Sequence, residues 1–176
     1  LFRALAALAR RNSLDEDRLC LAVIGGDPEG EEKTDNGEME SLKALREEIG
    51  LEDLVTFLGK QDQDSLPYYY SAAEMVIMPS HYESFGMVAL ESMACGTPVI
   101  ASQVGGLVHL VEHGVTGFNV PVEDPQALSE RIQQLLADKA LRYRMGHDAF
   151  AFAKKFGWEN ITTRMVDLYQ AMITAN

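Results

Sequence analysis

Met75-Val76-Ile77-Met78-Pro79-Ser80 leads into Glu83-Ser84-Phe85-Gly86-Met87-Val88-Ala89-Leu90-Glu91, and then into Ala94-Cys95-Gly96-Thr97-Pro98-Val99-Ile100-Ala101. The short apolar run Met75 to Met78 predicts a buried strand. A loop carrying Glu83 follows it. A helix is predicted to begin near Gly86, which places Glu91 in its second turn. Gly96 stops that helix, and Pro98 to Ala101 predicts the next strand. Short apolar strands separated by a helix are the mark of a βα unit in a parallel sheet.

The same alternation extends outward. Leu19 to Ile24, ending at Gly25-Gly26, and Val55 to Leu58, ending at Gly59, predict strands upstream. Gly117 to Val120 predicts one downstream. Helices are expected over Leu1 to Arg11, Glu38 to Ile49 (stopped by Gly50), and a short stretch capped by Asp64 or Ser65 and ending at Ala73. Further helices are expected from Gly105-Gly106 to Glu112, over Pro125 to Ala137 with Asp124 as cap, over Leu141 to Phe156, and over Trp158 to Ala175. Asp27 to Gly37 is acidic and polar and reads as a loop. The pattern predicts an α/β fold: a Rossmann-like, mostly parallel sheet with helices on both faces. Residues 1–157 form the body. Residues 158–176 form a terminal helix with Ile161, Met165, Leu168 and Met172 on one stripe. Ligands of such sheets bind beyond the strand C-termini. Gly25-Gly26, Gly59-Lys60, the Ser80 to Gly86 loop and Gly105-Gly106 are therefore expected to share one rim.

Composition sets the limits. The 176 residues are 47% hydrophobic, enough for one core, and no apolar run nears the ~18 residues of a membrane span. The formal net charge of −12 disfavours nucleic-acid backbones and anionic membranes as partners. Cys20 and Cys95 read as buried thiols of a reducing, cytoplasmic compartment. The opening Leu1-Phe2-Arg3-Ala4 lacks an initiator Met and the basic lead of a signal peptide, so the chain is expected to be a piece of a longer protein.

The helix after Gly86 carries the chemistry. Its first N–H groups have no partner inside the helix and sit at the positive end of its dipole. Gly86, without a Cβ, lets a phosphate approach the backbone. Glu91 lies four residues beyond Met87, on the same face one turn on, where a carboxylate can accept two hydrogen bonds from a ribose diol. Glu83, outside the helix, can contact a second hydroxyl-rich ring. A nucleotide-sugar fits this layout, with its diphosphate at the helix end and one ring on each side. Two glutamates alone are a weak pattern; a loop carboxylate and a surface helix residue would give it too. The ordered string around them favours the site.

That string resembles the donor-binding C-terminal half of GT-B retaining glycosyltransferases of family 4, group 1, a family that includes sucrose-phosphate-synthase-like and mycothiol-pathway enzymes. The resemblance also covers Val23-Ile24-Gly25-Gly26, Val55-Thr56-Phe57-Leu58-Gly59, Tyr69-Tyr70-Ser71-Ala72-Ala73-Glu74, Gly105-Gly106-Leu107 and Gly114-Val115-Thr116-Gly117-Phe118. It implies transfer of a sugar, with retention, from a nucleotide-sugar to an acceptor. The enzyme would be hexosyltransferase-type, with a UDP-sugar such as UDP-glucose as donor, no metal and no cofactor. It places Glu83, the first Glu of the family's E-x7-E motif, at the donor sugar as the catalytic candidate. It places Glu91, the second, on the ribose. Phe85, Gly86, Met87 and Val88 would contact sugar and diphosphate through their backbone. Gly25 and Gly26 would border the nucleotide, and Gly59 and Lys60 the base.

Two features of the family are missing. In that family a Gly-Arg strand and a Lys-Gly stand just before the segment that Leu1 begins; neither is in this sequence, and Arg3 is predicted inside the first helix. The N-terminal domain that binds the acceptor in that family is expected to lie outside this chain. The chain is expected to be inactive alone, with its sheet incomplete, gapped or completed by another chain, and it could self-associate. Its last helix either packs on this domain or crosses to the absent one. The alternative reading is a non-catalytic glycosyltransferase-like module for binding or assembly. A phosphorylase of the same fold needs a Schiff-base lysine, and Lys60, Lys139, Lys154 and Lys155 lack the context for one.

Other signals have simpler explanations. Asp62-Gln63-Asp64 spells a metal-diphosphate motif of another fold, but turn and cap chemistry before Ser65 explain it. His81, His109, His113 and His147 lack ligand spacing and read as surface residues. Gly25-Gly26-Asp27-Pro28-Glu29-Gly30 is not a dinucleotide fingerprint. Tyr68-Tyr69-Tyr70 reads as core and rim packing.

Overall fold

A computed structural model describes residues 1–12, 19–26 and 36–174, apart from the side chains of Asn12 and Asn36. The elements follow in order: α1 Phe2–Asn12, β1 Leu21–Ile24, α2 Asn36–Glu48, β2 Val55–Gly59, α3 Leu66–Ala72, β3 Val76–Met78 and α4 Met87–Ala94. Then come β4 Val99–Ser102, α5 Leu107–Leu110, β5 Gly117–Val120, α6 Pro125–Ala137, α7 Lys139–Ala153, a 3-10 turn over Lys154–Phe156, and α8 Trp158–Thr174. Of the loop read over Asp27 to Gly37, residues 27–35 lie outside the described residues, and Asn36 and Gly37 already belong to α2.

The described strands pair in parallel, as the βα alternation requires. They form two sheets, β1 with β2, and β3–β4–β5 with β4 in the middle, in line with the expectation of a gapped sheet. This is the α/β class with parallel sheets flanked by helices. Contacts divide the chain into two compact units, with the boundary inside α3. One comprises Leu1–Tyr69 and Glu123–Ala137, the other Tyr70–Val122 and Asp138–Asn176.

In the first unit, α1 buries Phe2, Leu5 and Leu8 at helical spacing, and α6 buries Leu128, Ile132 and Leu135. These two helices pack together. The Phe2 ring meets Phe57 of β2 edge-on at 6.1 Å. Arg46 of α2 lies over Phe57 at 5.5 Å and donates to the Val55 carbonyl at 3.2 Å. Gly50 ends α2 with a positive φ of 70°, as the sequence predicts for a C′ residue. Asp124 caps α6, accepting from the Ala127 N–H at 2.9 Å.

In the second unit, every residue of β4 and β5 is buried. The core gathers Met78, Ala89, Met93, Val99, Ala101, Leu107, Leu110 and Val111 with Ala149 and Ala153 of α7. Gly146 of α7 lies against the Gly96 carbonyl, which a Cβ would strike, so this glycine allows the close crossing of α7 on α4. The α7 cap is Asp138, accepting from the Leu141 N–H at 2.9 Å. The helix starts two residues earlier than the apolar pattern indicated, because the cap rather than the first apolar residue fixes its start. α8 buries no residue: Met165, Leu168 and Met172 of its stripe are exposed and Ile161 is half-buried.

Two side-chain expectations are corrected. Cys20 is exposed and Cys95 half-buried, and both are free thiols. Cys20 precedes β1 and lies next to Leu19, which takes the buried position. The three tyrosines of α3 separate by helix geometry: Tyr70 is buried, Tyr69 is half-buried, and Tyr68 is 78% exposed.

Candidate functional site

The loop after β3 is held in a fixed shape. Glu83 turns its side chain back so that Oε1 accepts from the Phe85 N–H at 3.3 Å and the Gly86 N–H at 3.1 Å. The Glu83 carbonyl accepts from the Gly106 N–H at 3.1 Å. Gly105 (φ 43°) and Gly106 form the seat of this loop. A Cβ on Gly105 would strike the Glu83 carbonyl oxygen, and one on Gly106 would stand 2.6 Å from both Phe85 Cα and the Ser84 carbonyl. On another side the Phe85 ring meets Phe156 edge-on at 5.9 Å, and Phe156 meets Phe152 at 5.5 Å.

Gly86 joins this loop to α4 with φ 99°, and no side chain caps the helix. The glycine has a conformational reason first: that φ is disfavoured for any L side chain, and a Cβ would stand 2.6 Å from Leu107 Cδ2. The Leu90 N–H closes the first turn onto the Gly86 carbonyl at 3.0 Å. The amides of Met87, Val88 and Ala89 are the ones an α-helix leaves without an internal partner, and they point beyond its N-terminus. Met87 and Val88 are 57% and 44% exposed, although they are large and apolar. Ala89, Ser92 and Met93 take the buried side of α4.

Glu91 sits on the outer side of α4, half-buried. About 7.5 Å of helix axis separates it from Gly86 at the usual rise per residue. Its Oε2 accepts from the Tyr70 hydroxyl at 2.9 Å. Burial, followed by the hydrogen bond to Glu91 and the charge of that carboxylate, pushes the Tyr70 phenol well above its ordinary range. The phenol therefore stays a neutral donor at physiological pH. The Glu91 carboxylate keeps Oε1 for further donors. Glu83, Phe85, Gly86, Met87, Val88 and Glu91 are thus brought together on one loop and one helix, with two carboxylates at either end of a short run of outward amides.

Gly25, Gly26, Gly59 and Lys60 belong to the first unit. Gly25 and Gly26 follow β1 and Gly59 ends β2, all three with positive φ. The Gly25 N–H donates to the Gly59 carbonyl at 2.9 Å, so both turns leave the strand ends side by side. Lys60 is exposed. Asp62 acts through its carbonyl, which accepts from the Ser65 N–H at 2.9 Å and the Ser65 hydroxyl at 2.7 Å, so this segment is a turn. Among the described residues, no three His, Cys, Asp or Glu side chains gather as a metal site would require. His113 accepts the Asn119 N–H at its Nδ1 and serves the backbone. No described helix is long and apolar enough to cross a membrane.

Two parts of the site escape a reading by residue type. Tyr70 reads with its neighbours as packing, and Gly105-Gly106 reads as the start of a short helix on the strand-end rim, with nothing to pair it with the Glu83 loop. Helix periodicity separates Tyr70 from the exposed Tyr68, but nothing in the sequence pairs it with a residue twenty-one positions on.

The model of a family described as "Glycosyl transferases group 1" matches residues 1–152. The D-inositol 3-phosphate glycosyltransferase of Saccharomonospora viridis is 38% identical over 175 residues, which is 99% of this chain and 40% of that protein. The chain thus spans about two-fifths of the length of this curated relative. Among solved structures, sucrose-phosphate synthase from Thermosynechococcus elongatus superposes with a TM-score of 0.82 at 39% identity, covering 99% of this chain and 43% of that one. The Anabaena protein Alr3699/HepE in complex with UDP-glucose gives 0.81 at 28% identity, covering 97% and 44%.

Proposed function

We propose, from the premise that the chain belongs to the glycosyl transferases group 1 family, that it is the donor-binding half of a retaining glycosyltransferase. The observation that carries the reading is the start of α4, which no side chain caps, with Glu83 on its loop side and Glu91 about one and a half turns along. A UDP-sugar is the proposed donor, since the relative Alr3699/HepE has been solved with UDP-glucose.

In this reading the diphosphate lies on the amides of Met87 and Val88, since those of Phe85 and Gly86 already donate to Glu83, and the ribose hydroxyls donate to Glu91. The sugar hydroxyls donate to Glu83, whose Oε1 is already steadied by the loop amides. The anomeric carbon–oxygen bond to the diphosphate breaks as the acceptor oxygen bonds to the same face of that carbon. The acceptor proton leaves with the diphosphate. Negative charge then grows on the departing group, at the place where fixed backbone donors need no reorganisation to meet it. No metal or cofactor takes part in the scheme.

The acceptor is bound by the other half of the full-length protein, so this chain alone is inactive. The exposed stripe of α8, with Met165, Leu168 and Met172, is assigned to packing against that half. A cytoplasmic location suits two free thiols.

The test is calorimetry of the full-length protein with UDP and UDP-glucose. Binding is expected, and Glu91→Ala should weaken it by about 10- to 150-fold, the loss of charge-assisted hydrogen bonds worth about 1.5–3 kcal/mol. A full-length protein that binds neither ligand refutes the reading.

A further inference from the structure

We infer that Tyr70 is the positioning residue for ribose recognition: its buried hydroxyl fixes the rotamer of Glu91, so that the other carboxylate oxygen is held ready for the sugar diol. The inference rests on the reading that Glu91 binds the ribose.

Glutamate on the outer face of a helix ordinarily samples many rotamers, and a ligand must freeze one of them. Here the carboxylate is tied at one oxygen to a phenol at 2.9 Å. Tyr70 is only 7% exposed, so this donor cannot wander. Its backbone is pinned too: the Tyr70 carbonyl accepts from the Thr97 hydroxyl at 2.7 Å. Thr97, itself buried, lies two residues before β4, and its carbonyl accepts from the Ser92 hydroxyl at 3.1 Å. The Thr97 N–H donates back to the Ser92 carbonyl at 3.1 Å. Ser92 is fully buried and is the next residue after Glu91.

The chain of bonds therefore closes on itself: Glu91 to Tyr70, Tyr70 to Thr97, Thr97 to Ser92, and Ser92 by covalent bond to Glu91. Every member except Glu91 is buried. A ring of this kind holds one carboxylate oxygen in a known place and leaves the second oxygen for a ligand. An unliganded glutamate is thereby already in its binding posture, which lowers the entropic cost of gripping a diol. The phenol is a one-donor group, so Tyr70→Phe removes the bond while keeping the ring that fills the space.

The experiment measures the affinity of the full-length protein for UDP and for 2′-deoxy-UDP and 3′-deoxy-UDP by calorimetry, with melting temperature alongside. The wild type is expected to prefer UDP. Tyr70→Phe should cut UDP affinity by about 5- to 10-fold, with much less change for the deoxy nucleotides, so the preference shrinks by a similar factor. A merely structural role would lower the melting temperature and weaken all three ligands equally. Thr97→Val, which frees the backbone of Tyr70 but keeps the hydroxyl bond, should lose part of the preference, and it replaces Tyr70→Phe if that variant does not fold. Glu91→Ala should abolish the preference. If Glu91→Ala keeps it, the ribose reading of Glu91 is wrong and the inference goes with it. If Glu91→Ala abolishes it while Tyr70→Phe and Thr97→Val retain it in full, the ribose reading stands and the role given to Tyr70 is overturned.

Discussion

Gly106→Ala isolates the clasp on the Glu83 loop from every other contribution to the site. Gly106 has ordinary right-handed helical dihedrals (φ −66°, ψ −23°), so alanine adds no backbone strain of its own. The effect is therefore steric. The new methyl would meet Phe85 Cα at 2.6 Å, the Ser84 carbonyl oxygen at 2.6 Å and the Phe85 carbonyl oxygen at 2.7 Å. All three are backbone atoms, so no side chain can rotate out of the way. Restoring ordinary contact moves the Glu83–Gly86 loop by about 0.8 Å. Overpacking of this size costs about 1–3 kcal/mol, which for a chain of this length lowers the melting temperature by about 2–12 °C. The larger effect falls on binding, because the moved segment carries the Glu83 carboxylate and the amides that open α4. Displacement near 1 Å costs up to about 100-fold where geometry is exacting, so affinity for UDP-glucose should fall at least about 10-fold. Thermal melting followed by circular dichroism and calorimetry with UDP-glucose read the two effects. Gly37→Ala is the control: it lies exposed in α2, a Cβ there meets nothing within 4 Å, and both readouts should stay at wild type or rise slightly. Gly106→Ala with wild-type affinity and a melting temperature within about 1 °C would show that the loop is not seated on this glycine.

Glu83→Gln keeps an oxygen for the Phe85 and Gly86 amides but removes the charge; the full-length enzyme should fold normally and lose about 100-fold or more in turnover, read by steady-state kinetics. Asp138→Ala removes the α7 cap at Leu141 and should cost about 0.5–2 kcal/mol in a denaturant melt, while Asp138→Asn should cost little. Tyr70 should ionise far above pH 10 in a spectrophotometric titration compared between wild type and Tyr70→Phe. Because its folded value is raised, the stability it contributes is intact below pH 10 and is lost only as pH rises through that higher value. A Tyr70 component titrating near 10 would mean that the phenol is neither buried nor bonded to Glu91.

The sequence made the order of elements legible because the strands are short, mostly apolar runs, the first two closed by Gly25 and Gly59, and several helices have a stop or cap of their own, such as Gly50, Gly96, Asp124 and Asp138. Gly50 and Gly96 both carry the positive φ that their places as helix stops suggest. It also brought the loop and helix of the site together, since Glu83 to Glu91 are local in sequence. What it could not supply were relations across distance. The Tyr70–Glu91 bond and the Thr97 hydroxyl on the Tyr70 carbonyl join residues more than twenty apart. Gly106 reads as a turn residue until the Glu83 loop is laid over it. Exposure at strand margins was also beyond reach: Cys20 looked buried because it joins an apolar run, yet it precedes β1 and faces outward. The division of the strands into a sheet of two and a sheet of three depends on pairing, which no run of residues encodes by itself.

A crystal structure of the full-length protein with UDP-glucose tests the central claim most directly. The diphosphate oxygens should lie within hydrogen-bonding distance of the Met87 and Val88 amides, with the ribose hydroxyls on Glu91 and the glucose beside Glu83. A nucleotide-sugar bound elsewhere, with both carboxylates untouched, would contradict the account.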